Sequence, residues 1–150
     1  MIIREATFND MSSVAELFAQ YRVFYEMSLD IEGATKFLTE RLENDQSVIF
    51  VAENDAKILT AFIQLYPLFS STRLRRVWLL NDLFVHEEFR RLGISKLLLE
   101  RAKDLCRQTG ACEITLETSK SNQFANKLYF NAGFQVNEKA NYYSWAMEES

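Results

Sequence analysis

Apolar residues recur along this chain in two rhythms, one helical and one strand-like, and together they predict the elements in order. Ile2 and Ile3 open a short first strand over Ile2–Glu5. Asn9 or Asp10 can cap a helix, since a short polar side chain there accepts from the unpaired N–H groups of the first turn. That helix buries Val14, Leu17, Phe18 and Tyr21, spaced i, i+3, i+4, i+7. A second helix is expected over 35–43, with Leu38 and Leu42 on one side. The run Val48-Ile49-Phe50-Val51-Ala52 reads as a strand, and Asn54-Asp55 turns the chain into another over 57–66. Pro67 is expected to end it, because proline has no N–H for a ladder.

The stretch 76–85 is apolar on both faces, the mark of a strand inside a covered sheet. A polar loop over 86–92 leads to Gly93, and a helix follows with Ile94, Leu97, Leu98, Ala102 and Leu105 on one face, stopping at Gly110. A strand over 113–118 and a short helix over 123–132, ended by Gly133, come next. The segments 134–136 and 142–147 can pair as a closing hairpin. The order β-α-α-β-β-β-α-β-α-β-β predicts an α/β fold, a mixed sheet with helices on both faces. No repeat or shift in composition divides the chain, so residues 1–150 read as one domain.

Composition narrows the function classes. Hydrophobic residues make up 48% and charged residues 25%, the balance of a soluble globular chain. Runs such as Leu97-Leu98-Leu99 are too short to span a bilayer, and the N-terminus lacks the sections of a signal peptide, so a cytoplasmic protein without a membrane partner is expected. The net charge of −4 argues against a nucleic-acid surface and suits a cationic substrate. Arg73-Leu74-Arg75-Arg76 is the basic exception and reads as a solvated loop. Cys106 and Cys112 have no partners at metal-ligand spacing, so no metal is expected and both read as reduced, buried thiols.

The chemistry concentrates between Leu83 and Lys96. A buried strand passes there through a charged loop to a helix with glycine at its entry. The first turn of a helix presents unpaired N–H groups and a partial positive charge, a setting for phosphate oxygens. Gly93 allows close approach to the main chain, and Arg90, Arg91 and Lys96 add positive charge. On these grounds a phosphate site and a plain strand–loop–helix turn are both open. The Gly-Lys-Ser/Thr of a Walker loop and the three glycines of a dinucleotide loop are absent.

Arg90-x-x-Gly93-x-Ser95, following Leu83-x-Val85, resembles the acyl-CoA-binding motif of the GNAT superfamily of N-acetyltransferases, Gln/Arg-x-x-Gly-x-Gly/Ala, with Ser95 as a small departure. Downstream, Asn122-x-x-Ala125-x-x-Leu128-Tyr129-Phe130-x-x-Gly133-Phe134 is similar to that family's Asn-x-x-Ala-x-x-Leu-Tyr-x-x-x-Gly-Phe segment. The run 80–85 also looks like the central strand of a bacterial small-amine branch. The resemblance implies a mostly antiparallel sheet whose central strand bulges and splays from its neighbour to form an acyl-CoA cleft. It implies acetyl-CoA as acyl donor. Main-chain groups of Leu83, Phe84 and Val85 would meet pantetheine, and the loop Arg90, Arg91, Leu92, Gly93, Ile94, Ser95, Lys96 would hold the pyrophosphate. Asn122 would lie beside the pantetheine arm and Tyr129 near the sulfur.

Acetyl transfer needs a neutral amine, yet a free alkylammonium has a pKa of about 10 and must lose its proton. Direct attack in a ternary complex suits this chain, because any triad would have to pass through His86, the only histidine, which sits in a solvated charged loop. Tyr129 is the general-acid candidate, with a packing role as the alternative. Asp82, acidic within an apolar run, and Glu117 can bind a cationic substrate or relay protons, or can serve as structural hydrogen-bond partners. Related polyamine-type enzymes carry an acidic pair where this chain has Asn81-Asp82. Tyr21, Phe24 and Tyr25 end the first helix, where family members line the acceptor pocket, so Tyr25, Asn81 and Glu117 are the substrate-side candidates. A small cationic amine is the favoured acceptor. A protein or peptide acetyltransferase, a non-catalytic acyl-CoA sensor and a nucleotide-phosphate regulator stay open, as does a homodimer.

Overall fold

The structure, a computed structural model, describes residues 1–148. Two compact units divide the chain, one over Met1–Glu117 and one from Thr118 onward. The first contains β1 (Ile2–Glu5), α1 (Met11–Phe24), α2 (Ile31–Glu43), β2 (Val48–Glu53), β3 (Leu59–Ser70), β4 (Arg75–Val85), α3 (Ile94–Gln108) and β5 (Glu113–Leu116). The strands lie in sequence order in one sheet, antiparallel from β1 to β4. β5 runs parallel to β4. A parallel neighbour requires a crossover, and α3 supplies it.

The mixed α/β architecture with a central sheet and flanking helices is as expected. Ile49, Val51, Phe62 and Phe84 join Val14, Leu17 and Phe18 of α1 and Leu38 of α2 in one apolar core. On the other face, the Arg101 guanidinium of α3 stacks over the buried ring of Phe50, 4.3 Å from its centroid. There too the Trp78 indole donates to Thr109 Oγ1, just past α3, at 2.9 Å.

Register carries the most consequential detail. Gln64 pairs with Asp82, but Leu65 pairs with Leu80, leaving Asn81 as an extra residue in β4. Such a bulge shifts the alternation of side chains between faces. Leu80 follows Leu65, whereas Asp82 follows Gln64 onto the face shared by Phe62 and Phe84.

Several boundaries differ from the sequence reading. β3 continues through Pro67, which pairs with Trp78, as far as Ser70. β2 stops at the pair Val48↔Leu65, so beyond that point β3 has one neighbour and can hold a residue without an N–H. α2 starts at Ile31 rather than at residue 35, capped by Asp30, whose Oδ1 accepts from the Gly33 N–H at 2.8 Å. Asp10 holds the N-cap position of α1 as expected, but its side chain makes no hydrogen bond to that helix. It also ends a 3-10 turn over Phe8–Asp10, and its carboxylate accepts from the Thr7 N–H. Arg73 and Leu74 form the β3–β4 turn, while Arg75 and Arg76 already belong to β4. Cys106 and Cys112 are free and half-buried rather than fully buried.

The second unit contains α4 (Gln123–Asn131). The expected hairpin between 134–136 and 142–147 is absent, with no strand among residues 134–148. The backbone of its first segment is used elsewhere. The Phe134 N–H donates to the Tyr129 carbonyl and the Gly133 N–H to the Phe130 carbonyl, closing α4 around the left-handed Gly133.

Candidate active site

β5 accompanies β4 only from Val77 to Leu80. β3 stays paired with β4 as far as Val85. Among the described residues, the β4 edge that faces β5 is therefore without a strand partner over 81–85, starting at the bulge. This is the splay implied by the resemblance, and it spans Leu83, Phe84 and Val85. Phe84 is buried, with its ring centroid 6.1 Å from Tyr21, while Leu83 and Val85 are half-buried. The Val85 carbonyl accepts from Arg90 Nε at 3.0 Å, and the guanidinium lies 5.6 Å over Phe84. Arg90 is thereby fastened to the end of β4.

The chain then passes a 3-10 turn over Glu87–Phe89 and two left-handed residues, Arg91 (φ 66°) and Gly93 (φ 78°), before α3 begins. A Cβ built on Gly93 would have no atom within 4 Å, so the space beside its main chain is open. Ile94 is buried and anchors the helix, while Arg90, Arg91, Leu92 and Lys96 are exposed and Ser95 is half-buried. The first-turn N–H groups of α3 lack intrahelical partners by the geometry of any helix. His86 does not join the chemistry here. Its Nδ1 accepts from the Glu88 N–H at 3.2 Å, capping the 3-10 turn.

Asp82 is 5% exposed. Its Oδ2 accepts from Gln64 Nε2 at 2.7 Å and from Asn81 Nδ2 at 3.1 Å. Burial pushes its pKa up, and hydrogen bonds from Gln64, Asn81 and Tyr21 oppose that rise. Tyr66, the next residue of β3 on this face, is raised to about 12, first by burial and then by the charge of Asp82. Tyr25 caps α1 and is exposed, with its ring 5.0 Å from Tyr21 and edge-on to it. Thus Tyr25, Tyr21, Asp82 and Asn81 are linked contact by contact. Glu117 is exposed and follows the end of β5, outside that chain of contacts.

Asn122 and Tyr129 belong to the second unit. Asn122 is the N-cap of α4, its Oδ1 accepting from the Ala125 N–H at 3.0 Å, so the amide has a structural task beside any role toward a ligand. Tyr129 is half-buried and edge-on to Phe134 at 5.8 Å. Sequence reasoning missed Gln64, which is fully buried, and the tie from Tyr21 to Asp82. Gln64 had a signal: it is an amide inside the apolar run Ala61-Phe62-Ile63-Gln64-Leu65. Among the described residues, no group of three or more His, Cys, Asp or Glu side chains is arranged to hold a metal.

Comparison with known proteins agrees with this geometry. Residues 12–134 match the model of the acetyltransferase (GNAT) family. The chain is 44% identical over 135 residues to the uncharacterized N-acetyltransferase YhfO of Bacillus subtilis, covering 90% of each. It is 32% identical to a probable acetyltransferase of Haemophilus influenzae, covering 82% of each. A crystal structure of a probable acetyltransferase superposes over the full length of both chains with a TM-score of 0.94 at 40% identity. The bulged, splayed strand, the left-handed glycine before α3 and these likenesses lead to one assignment: the chain belongs to the GNAT family of acetyltransferases.

Proposed function

We propose that this acetyltransferase moves the acetyl group of acetyl-CoA onto a primary amine, and that the acceptor is a small cationic amine. The residues of the first unit fit the donor. The partnerless β4 edge offers main-chain groups of Leu83, Phe84 and Val85 to the pantetheine amides. The open main chain at Gly93, the first turn of α3 and the charges of Arg90, Arg91 and Lys96 suit a pyrophosphate. The reaction is direct: the amine nitrogen bonds to the thioester carbonyl carbon, the C–S bond breaks, and the amine gives up a proton. Tyr129 is assigned the protonation of the leaving thiolate, on the resemblance of its motif, with Asn122 beside the pantetheine arm.

The acceptor reading is carried by Asp82, a buried carboxylate at the bulge, linked through Tyr21 to the exposed ring of Tyr25. A carboxylate in a dehydrated setting attracts an ammonium and can take its proton, and an aromatic face holds an alkyl stem or the cation. Asn81 adds an amide to the same carboxylate, and Glu117 a further negative charge.

A panel of acceptors with release of the CoA thiol as readout tests the proposal. Diamines, polyamines, amino sugars and basic amino acids are expected to turn over faster than monoamines that carry no second charge. Acetylation of peptides or proteins alone would replace the acceptor. Tight acetyl-CoA binding without turnover of any amine would make the protein an acyl-CoA-binding module.

A further inference from the structure

Gln64 is fully buried, and only one end of its amide is used. Nε2 donates to Asp82 Oδ2 at 2.7 Å, while Oε1 is buried and has no hydrogen-bond partner among the described residues. A buried carbonyl oxygen without a partner is costly, and methionine would fill the same volume without that cost. What the amide contributes is therefore its hold on Asp82. That hold is also adaptable. Toward an ionised carboxylate the amide donates through Nε2, and toward a protonated carboxyl it can turn and accept through Oε1. Asn81, on the same oxygen, is exposed and sits on the extra residue of the bulge, so Gln64 is the rigid partner.

We infer that Gln64 is a positioning residue for Asp82, holding its carboxyl in one place through both protonation states as the acceptor amine gives up its proton. The inference rests on the reading of Asp82 given above. The other titratable groups set against Asp82 are Tyr21 of α1 and Tyr66 of β3; Arg41 of α2 bears on Tyr66. Tyr66, its pKa raised to about 12, stays neutral through the range in which a carboxyl titrates. Gln64 donates to the ionised form and so holds the Asp82 pKa down against burial.

The test is a carbon-13 NMR titration of the Asp82 carboxyl, beside steady-state kinetics, in the wild type, Gln64→Met, Gln64→Glu and Asp82→Asn. Both Gln64 variants keep the side-chain volume and lose the neutral donor. Asp82 should titrate higher by about one pH unit in Gln64→Met, and higher still beside the second carboxylate of Gln64→Glu. In both, kcat for the best amine should fall by up to about a hundredfold while the acetyl-CoA KM holds. An unchanged titration in both variants overturns the inference. Full activity in the Gln64 variants, with Asp82→Asn inactive, overturns it while sparing the role of Asp82. Full activity in Asp82→Asn removes both.

Discussion

For a single side chain the deciding quantity is environment. Asp82 is an ordinary carboxylate in the sequence, but burial raises its pKa against the hydrogen bonds from Gln64, Asn81 and Tyr21 and makes its charge count for more. Asp82→Asn keeps the shape and removes the charge. It should raise KM for diamines and polyamines by about tenfold or more, and much less for a monoamine with no second cationic group, with acetyl-CoA affinity unchanged. Steady-state kinetics on a matched pair of amines checks this, and an equal KM change for both would mean that Asp82 does not bind the second cationic group. Tyr129→Phe removes only a hydroxyl. If that hydroxyl protonates the thiolate, kcat should fall by about 10²–10⁴-fold with the acetyl-CoA Kd nearly constant. Undiminished kcat, with chemistry rate-limiting, would assign Tyr129 to packing against Phe134.

Among the elements, the entry of α3 and the bulge of β4 do the positioning. Gly93 combines a left-handed φ of 78° with open space around its absent Cβ. Gly93→Val should weaken CoA binding, because a branched side chain is strained at that φ and fills the space an anion needs. Titration calorimetry reads this directly, and equal affinities would place the pyrophosphate elsewhere. The charged loop, the glycine and the helix after it were legible because each rests on local chemistry. The bulge was not legible as a number in the chain. Asn81 is polar, but only pairing with β3 reveals that it has no opposite residue. Pro67 misled for the same reason: whether it breaks a strand depends on which neighbour is present, not on proline alone.

In the first unit as a whole, the two ends of the early chain are tied by charge. Arg4 of β1 reaches Asp10 with two bonds, at 2.8 and 2.9 Å, and Glu53 of β2 at 2.9 Å. The Arg4 guanidinium is the main reason the Asp10 carboxyl is held down to about 2, with the Glu53 carboxyl also lowered. A carboxyl with a depressed folded pKa stabilises the fold above its ordinary pKa and loses that stabilisation as pH falls through the folded value. The wild type should therefore lose stability between about pH 4 and pH 2. Arg4→Met should be less stable near neutrality, and its deficit should shrink across that window. Urea midpoints at several pH values check this, and a constant deficit would mean that Arg4 acts through packing alone.

The strands and helices of the first unit and the membership of the family could be read from the residues in order. Periodicity, capping and a short motif are local, so neighbours in the chain are enough to express them. Which face Asp82 occupies, which donors hold it and where β4 parts from β5 depended on pairing between distant segments. A one-residue slip at Asn81 exchanges the faces of a strand, and nothing in the strand's own sequence reports that slip. The absent closing hairpin has the same cause: alternating residues supply a pattern, and a pattern becomes a strand only where another strand accepts its hydrogen bonds.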